Sequence, residues 1–291
     1  MLVATLLTDP AKAGLEAGMV DALRNAWGGG DARWLNPGIA AEFDLHSMPD
    51  NRWQVWADLQ AQGIDLAIQP VDGRKKRMLL ADMDSTMIAQ ECIDELADLA
   101  EVGPQVAEIT AQAMNGILEF EPALRARVAL FRGMDAGIID QVLAERITFT
   151  AGGRELVATM RAHGAHTALV SGGFTAFTAR VAAELGFDEH HANLLLIENG
   201  RLTGAVAEPI LGRQAKIDAL DSISARLGIT PADVMAVGDG ANDLGMLGRA
   251  GAGVALHAKP VVAERCELRV NHGDLTALLY LQGYGIDDFI G

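Results

Sequence analysis

From Met78 onward the chain alternates short apolar strands with helical patterns, and few folds accommodate that rhythm. The strands are Met78 to Ala81, His166 to Val170, Val234 to Val237 and Gly253 to Leu256. Apolar runs of this length, separated by helix-sized segments, predict a mostly parallel, doubly wound sheet with both faces covered. More than 70 residues part the first strand from the second, too many for one crossover helix. Helical patterns at Glu91 to Ala100, Pro104 to Met114, Glu121 to Phe131 and Asp135 to Ile147 fill the gap, with Leu124, Val128 and Phe131 at helical spacing. Residues 91–148 are therefore expected to be a helical cap inserted into an α/β core of residues 73–90 and 149–291. Leu194 to Ile197 and Arg201 to Thr203 flank Asn199-Gly200, which predicts a β-hairpin.

Residues 1–72 read separately as β-α-β-β-α-β. Val3 to Leu7 is a strand, and after Asp9-Pro10 the residues Leu15, Met19, Leu23 and Trp27 lie four apart on one helical face. A hairpin around Asn36-Pro37-Gly38, a helix from Asp50 to Gly63 and the strand Ile64 to Ile68 complete the unit. The order resembles the ferredoxin-like modules called ACT domains, which implies a small α+β domain that senses a ligand, pairs subunits or merely accompanies the core. The basic stretch Asp72 to Arg77 reads as a solvated linker.

Charge narrows the partners. With 23 basic and 39 acidic residues the net charge is -16, which argues against nucleic-acid and anionic-membrane surfaces. The two cysteines, Cys92 and Cys266, are too few for a disulfide framework and read as buried thiols of a reducing compartment. The opening MLVATLL is shorter than a membrane span and lacks an early basic residue. A cytoplasmic setting is expected.

Polar clusters sit where open α/β sheets bind ligands, at the carboxyl ends of the strands. Asp82 and Asp84 end the first strand. Two carboxylates so close repel unless a cation or proton compensates, which points to a hard, oxygen-seeking metal such as Mg2+. Ser171-Gly172-Gly173 follows the second strand and offers small residues and a helix N-terminus to an anion. Lys216 opens a helix, and Asp239, Asn242 and Asp243 follow the third strand. Each cluster alone has an ordinary reading: a strand end, a tight turn, surface decoration, a helix cap.

Taken in order, D-x-D-S-T, S-G-G, Lys and G-D-G-x-N-D resemble the phosphoserine phosphatases of the haloacid dehalogenase (HAD) superfamily, over roughly residues 78–270. No P-loop or Rossmann fingerprint competes. The resemblance implies hydrolysis of O-phospho-L-serine, with Asp82 as nucleophile and Asp84 as acid and base. It implies Mg2+ on Asp82, Asp239 and the Asp84 backbone oxygen, with Asp243 supporting the metal site. Ser171, Gly172, Lys216 and Asn242 would hold the phosphoryl group. Glu91, nine residues after Asp82, matches the glutamate for the substrate ammonium, and Arg127 the arginine for its carboxylate. Met114 and Phe120 match apolar positions that close over the substrate. A homodimer is expected by analogy. Rival expectations are a phosphotransferase, a phosphatase for another small ester and a non-catalytic amino-acid sensor; the last predicts degraded motifs, which this sequence does not have. His190-His191 reads as a loop pair without metal-ligand spacing, and Tyr280, Tyr284 and Phe289 as apolar anchors of the tail.

Overall fold

The computed structural model describes residues 1–114 and 117–291; the Met114 side chain, expected to close over the substrate, lies outside the described residues. Strands β1 (Leu2–Thr8), β2 (Arg33–Asn36), β3 (Ala40–Leu45) and β4 (Ile64–Pro70) form an antiparallel sheet in the order β2-β3-β1-β4. Helices α1 (Ala17–Ala26) and α2 (Arg52–Gln60) connect them, giving the ferredoxin-like order expected. Helix α1 begins later than the sequence pattern predicts. Asp9 accepts a hydrogen bond from the Ala11 backbone N–H at 2.9 Å, so the chain turns there before entering the helix.

The main sheet has six parallel strands. Strands β5 (Met78–Ala81), β6 (His166–Phe174) and β7 (Glu189–Asn193) step outward in one direction. After the hairpin β8 (Leu195–Glu198) and β9 (Arg201–Val206), the chain returns beside β5 as β10 (Val234–Gly238), followed outward by β11 (Ala252–Leu256) and β12 (Leu268–Val270). Pairing of β5 with both β6 and β10 is parallel, in registers Leu80↔Ala168 and Ala236↔Leu80. Strand β5 is buried at every position, as a strand covered on both faces must be. The sheet runs two strands beyond the sequence expectation. Strand β7 contains His190 and His191, which correct the reading of a loop pair: His190 Nδ1 meets Thr178 Oγ1 at 2.9 Å and His191 Nε2 meets Glu189 Oε2 at 3.1 Å.

Among the described residues, helices α3 (Cys92–Leu99), α4 (Gly103–Met114), α5 (Phe120–Ala129) and α6 (Ile138–Glu145) stand between β5 and α7 (Gly153–Ala162). Their two connections to the sheet pair with each other through a bridge from Ile88 to Phe149. The hairpin β8-β9 clips the group from the side: Leu202 N donates to Met134 O at 2.9 Å, and Gly133 N donates to Leu202 O at 2.8 Å. Helices α8 (Thr175–Leu185), α9 (Arg213–Leu227), α10 (Leu244–Arg249), α11 (Pro260–Ala263) and α12 (Ala277–Leu281) complete the layers.

The N-terminal sheet is docked on this core. Ala4, Leu6, Phe43 and Leu66 face α1 and α2, while Leu7, Ala40 and Ala67 join one continuous core with Leu278, Tyr280 and Leu281 of α12. Buried Asp65 accepts three backbone hydrogen bonds, from Asn271, His272 and Gly273, each at 2.9 Å. Asn36 Nδ2 donates to the Tyr280 hydroxyl at 2.8 Å. The stretch Asp72 to Arg77 joins β4 to β5 and is exposed at Asp72, Gly73, Lys75 and Arg77, but it is anchored at two points. Arg74 forks onto buried Glu42 at 2.7 and 3.0 Å, and Lys76 N donates to Gln282 Oε1 at 3.0 Å. Burial alone would lift the Glu42 carboxyl, but Arg74 and then Arg33 outweigh it and hold it below its ordinary range.

Candidate active site

Strand order reverses between β5 and β10, and a crevice opens at such a switch point beyond the carboxyl ends of the strands. Asp82 and Asp84 leave β5 there and Asp239 leaves β10. The backbone after β5 makes one wide turn over Met83–Met87, with Ser85 in the left-handed region at φ 55°. That turn sends the two aspartates to different partners. Asp82 Oδ1 lies 2.6 Å from Lys216 Nζ and accepts from Met83 N at 2.8 Å. Asp84 Oδ1 accepts from the Cys92 backbone N–H and Oδ2 from the Ser171 hydroxyl, both at 2.9 Å.

Lys216, on the first turn of α9, is 2% exposed and its ammonium bridges Asp82 Oδ1 and Asp243 Oδ1, each at 2.6 Å. Burial alone would strip its proton, but Asp82 and Asp243 outweigh burial and keep it charged. Asp243 folds back beneath β10, where its Oδ2 accepts from Gly240 N at 3.0 Å. A β-carbon on Gly238 would stand 2.5 Å from the Asp243 carboxyl, so this approach requires glycine. Oxygens of Asp82, Asp239 and Asp243, all buried, lie within 4.8 Å of one another. The Lys216 ammonium thus bridges two of the three carboxylates. The carboxylates feel the deficit: burial, with only partial relief from Lys216, pushes Asp82 well up, and burial plus Asp243 pushes Asp239 up. Lys259 Nζ, 3.9 Å from Asp239 Oδ2, relieves Asp239 in part. The donor set is hard oxygen with a shortfall of positive charge, which fits a divalent cation such as Mg2+.

Ser171 and Gly172 are part of β6 itself rather than a turn after it, at an irregularity in its pairing with β7 between Val170 and Phe174. Ser171 Oγ accepts from Gly173 N at 2.8 Å while donating to Asp84. Asn193 was not among the residues singled out from the sequence. Its buried side chain donates to Gly172 O at 2.9 Å and to Leu211 O at 3.1 Å, and accepts from Leu211 N at 2.7 Å. It thereby ties the Ser171–Gly173 stretch to the segment that leads into Lys216. Asn242 is exposed, with its Oδ1 2.3 Å from where a β-carbon on Gly240 would stand.

The helical group roofs this floor. Phe120, at the start of α5, lies 3.5 Å from a would-be β-carbon on Gly172 and 3.1 Å from one on Gly212. Glu91, ahead of α3, accepts from Ser85 Oγ at 2.8 Å. It meets water in the cleft, yet the protein crowded around it and then Asp84 push its carboxyl up to about 7. Arg127, half-buried on α5, reaches Thr110 Oγ1 at 3.4 Å. Burial lowers it, while Asp94 and Glu91 oppose that shift, so cation and carboxylates share one field across the roof.

A family model for haloacid dehalogenase-like hydrolases matches residues 79–248, more than half of the chain. A curated phosphoserine phosphatase of Streptomyces coelicolor is 41% identical over 251 residues, 85% of this chain and 61% of the relative. The chain spans less than two thirds of the length of the first curated relatives, 61%, 63% and 65%. Among solved structures, a HAD family hydrolase from Salmonella enterica serovar Typhi is 30% identical with a TM-score of 0.86, covering 97% of this chain and 98% of that one. A phospho-aspartyl intermediate analogue of phosphoserine phosphatase is 38% identical with a TM-score of 0.65, covering 71% of this chain and 98% of that one.

Proposed function

Because the chain belongs to the haloacid dehalogenase-like hydrolase family, we propose that it is a Mg2+-dependent phosphoserine phosphatase acting through an aspartyl-phosphate on Asp82. The observation that carries this reading is the division of labour between two aspartates two residues apart. Asp82 is pinned to an ammonium, and Asp84 to a hydroxyl and an amide.

In this reading the carboxylate of Asp82 attacks phosphorus in line, and the bond from phosphorus to the serine oxygen breaks. Asp84 delivers its proton to the departing oxygen. Both Asp84 oxygens already accept hydrogen bonds, so Ser171 must swing its hydroxyl to a phosphoryl oxygen before Asp84 can hold that proton. Lys216 favours the ionised form of Asp82 and orients it, and its ammonium, Ser171 and the Gly172 backbone N–H hold the charge that spreads over the phosphoryl oxygens. Asn242 hydrogen-bonds that group or its ligands. In the second half, Asp84 takes a proton from water, water oxygen bonds to phosphorus, and phosphate leaves as Asp82 is freed. A divalent cation on Asp82, Asp239 and the Asp84 backbone oxygen would offset repulsion between anionic nucleophile and anionic ester, with Asp243 behind it.

Glu91 and Arg127 would read the ammonium and carboxylate of the amino acid, with Phe120 excluding water. The corresponding domains are an accessory module at 1–72, the catalytic core at 73–90 and 149–291, and the cap at 91–148. Two free, buried cysteines and the absence, among the described residues, of a helix long and apolar enough to cross a membrane support a cytoplasmic setting. The test is magnesium-dependent phosphate release from O-phospho-L-serine. Asp82→Asn should abolish it while the far-ultraviolet circular dichroism stays that of the parent; turnover by the variant would end the proposal.

A further inference from the structure

A cavity of about 580 Å3 opens between the N-terminal sheet and the core, far from the carboxylate cluster in the fold. Its walls are the end of β4, the Asp72–Lys76 stretch, the end of α10 and the starts of β11 and β12. It therefore lies at the amino ends of the parallel strands, whereas Asp82 and Asp239 stand at their carboxyl ends. None of its lining residues has a part in the phosphatase chemistry, so a role for this cavity stands or falls independently of that reading.

The lining is cationic on a chain whose net charge is -16: Arg52, Arg74, Lys76 and Arg265 face it against Asp72 and Glu267. Two of these cations are committed. Arg74 is forked onto Glu42, and Lys76 Nζ donates to Ala232 O at 2.7 Å. The other two are not. Among the described residues Arg52 Nε is buried without a hydrogen-bond partner, and the nearest carboxylate, Glu267, is 3.9 Å from Arg52 Nη2, beyond hydrogen-bond range. Arg265 is exposed, and its side chain makes no hydrogen bond or ion pair among the described residues. Arg52 is nonetheless held in place, because its guanidinium stacks on Trp53 at 5.2 Å. Ile68 and Leu268 add apolar wall beside these charges. The volume lies within the range of small-molecule sites, which favour junctions between packed units and combine apolar lining with a few placed polar groups.

We infer that this cleft binds a small organic or inorganic polyanion carrying two or more carboxylate or phosphate groups. Its charges meet Arg52 and Arg265, and any carbon skeleton rests on Ile68 and Leu268. Carboxylate and phosphate share the chemistry that guanidinium recognises, and two probes separate them.

The metal-free full chain is titrated calorimetrically with citrate and, separately, with pyrophosphate, alongside Arg265→Glu and the double variant Arg52→Gln/Arg265→Glu. Wild type is expected to take up one equivalent of at least one probe at this site, with intrinsic tryptophan fluorescence, to which Trp53 beside Arg52 contributes, reporting the same midpoint. Arg265→Glu should weaken that binding about tenfold or more, the worth of a charge-assisted hydrogen bond, and the double variant should abolish it. Citrate alone binding marks a carboxylate site, and pyrophosphate alone a phosphate site. Arg265 is exposed, so its reversal leaves the fold intact, and phosphate release from phosphoserine without probe should match wild type. No saturable binding of either probe, or affinities equal in wild type and both variants, overturns the inference.

Discussion

Replacing Lys216 with methionine probes the centre of the site directly. The side chain is 2% exposed and its ammonium touches two carboxylates, Asp82 and Asp243, at 2.6 Å each. Methionine matches its length without the charge, so the variant leaves two buried carboxylates facing each other uncompensated. Breaking a buried pair in this way costs about 3–5 kcal/mol. At roughly 2 cal/mol/K of unfolding entropy per residue, a chain of 291 residues should lose about 5–8 °C in Tm. The assay is urea and thermal unfolding of the metal-free protein by circular dichroism, at several pH values. The sign of the pH effect is fixed by Asp82, whose folded pKa lies above its unfolded value even with Lys216 present. Such an acid holds extra protons in the folded state, so stability is greater at low pH and falls as pH rises. Losing Lys216 raises that folded pKa further, so the folded variant holds more protons than wild type and its deficit should widen as pH rises. Adding Asp243→Asn should recover part of it, giving a non-additive cycle. A deficit under about 1 kcal/mol, or one that shrinks as pH rises, would refute the reasoning that this ammonium neutralises both carboxylates.

Glu91 supplies a pH test of recognition. Its carboxyl sits at about 7, so the free enzyme gains the ionised form needed for an ammonium as pH rises; kcat/KM for phosphoserine should climb through that value, about tenfold between pH 6 and pH 8, and Glu91→Gln should flatten the limb. Arg127→Ala should weaken phosphoserine at least about tenfold more than a phosphate ester lacking a carboxylate; equal losses on both would leave the phosphatase and remove the substrate. Asn193→Ala strips three hydrogen bonds from backbone at Gly172 and Leu211. It should cost about 2–4 kcal/mol in urea unfolding and lower kcat more than it raises KM, whereas unchanged kcat would make Asn193 structural only.

The alternation of apolar runs was enough to read the parallel sheet, because β5, β10 and β11 are buried on both faces and carry little polarity. Strand β7 escaped the same reading: Glu189, His190 and His191 sit at an edge, partly exposed and polar, so no apolar run marks it. Strand β12 is three residues long, too short for a period. At the site, the aspartates, Ser171 and Lys216 were legible as motifs in order. Asn193 was not, because its partners are backbone groups 18 and 21 residues away and backbone has no sequence signature. The two anchors of the Asp72–Arg77 linker were illegible for the same kind of reason. Its composition is that of a linker, and only the fold brings Glu42 to Arg74 and Gln282 to Lys76.

The docking of the N-terminal sheet also bears on how the molecule can be shortened. Cutting the chain ahead of β5 would uncover the flank of α12 and strand the amides of Asn271, His272 and Gly273, which now share one carboxylate, Asp65. Leu275, two residues past those amides, donates its N–H to Ala151 O at 3.1 Å, beside the point where the chain leaves the helical roof. An amputation at one end of the molecule would thus loosen the Leu275–Ala151 tie at the foot of the helical roof, and a trimmed chain would need a redesigned surface along α12 before its kinetics said anything about the module removed.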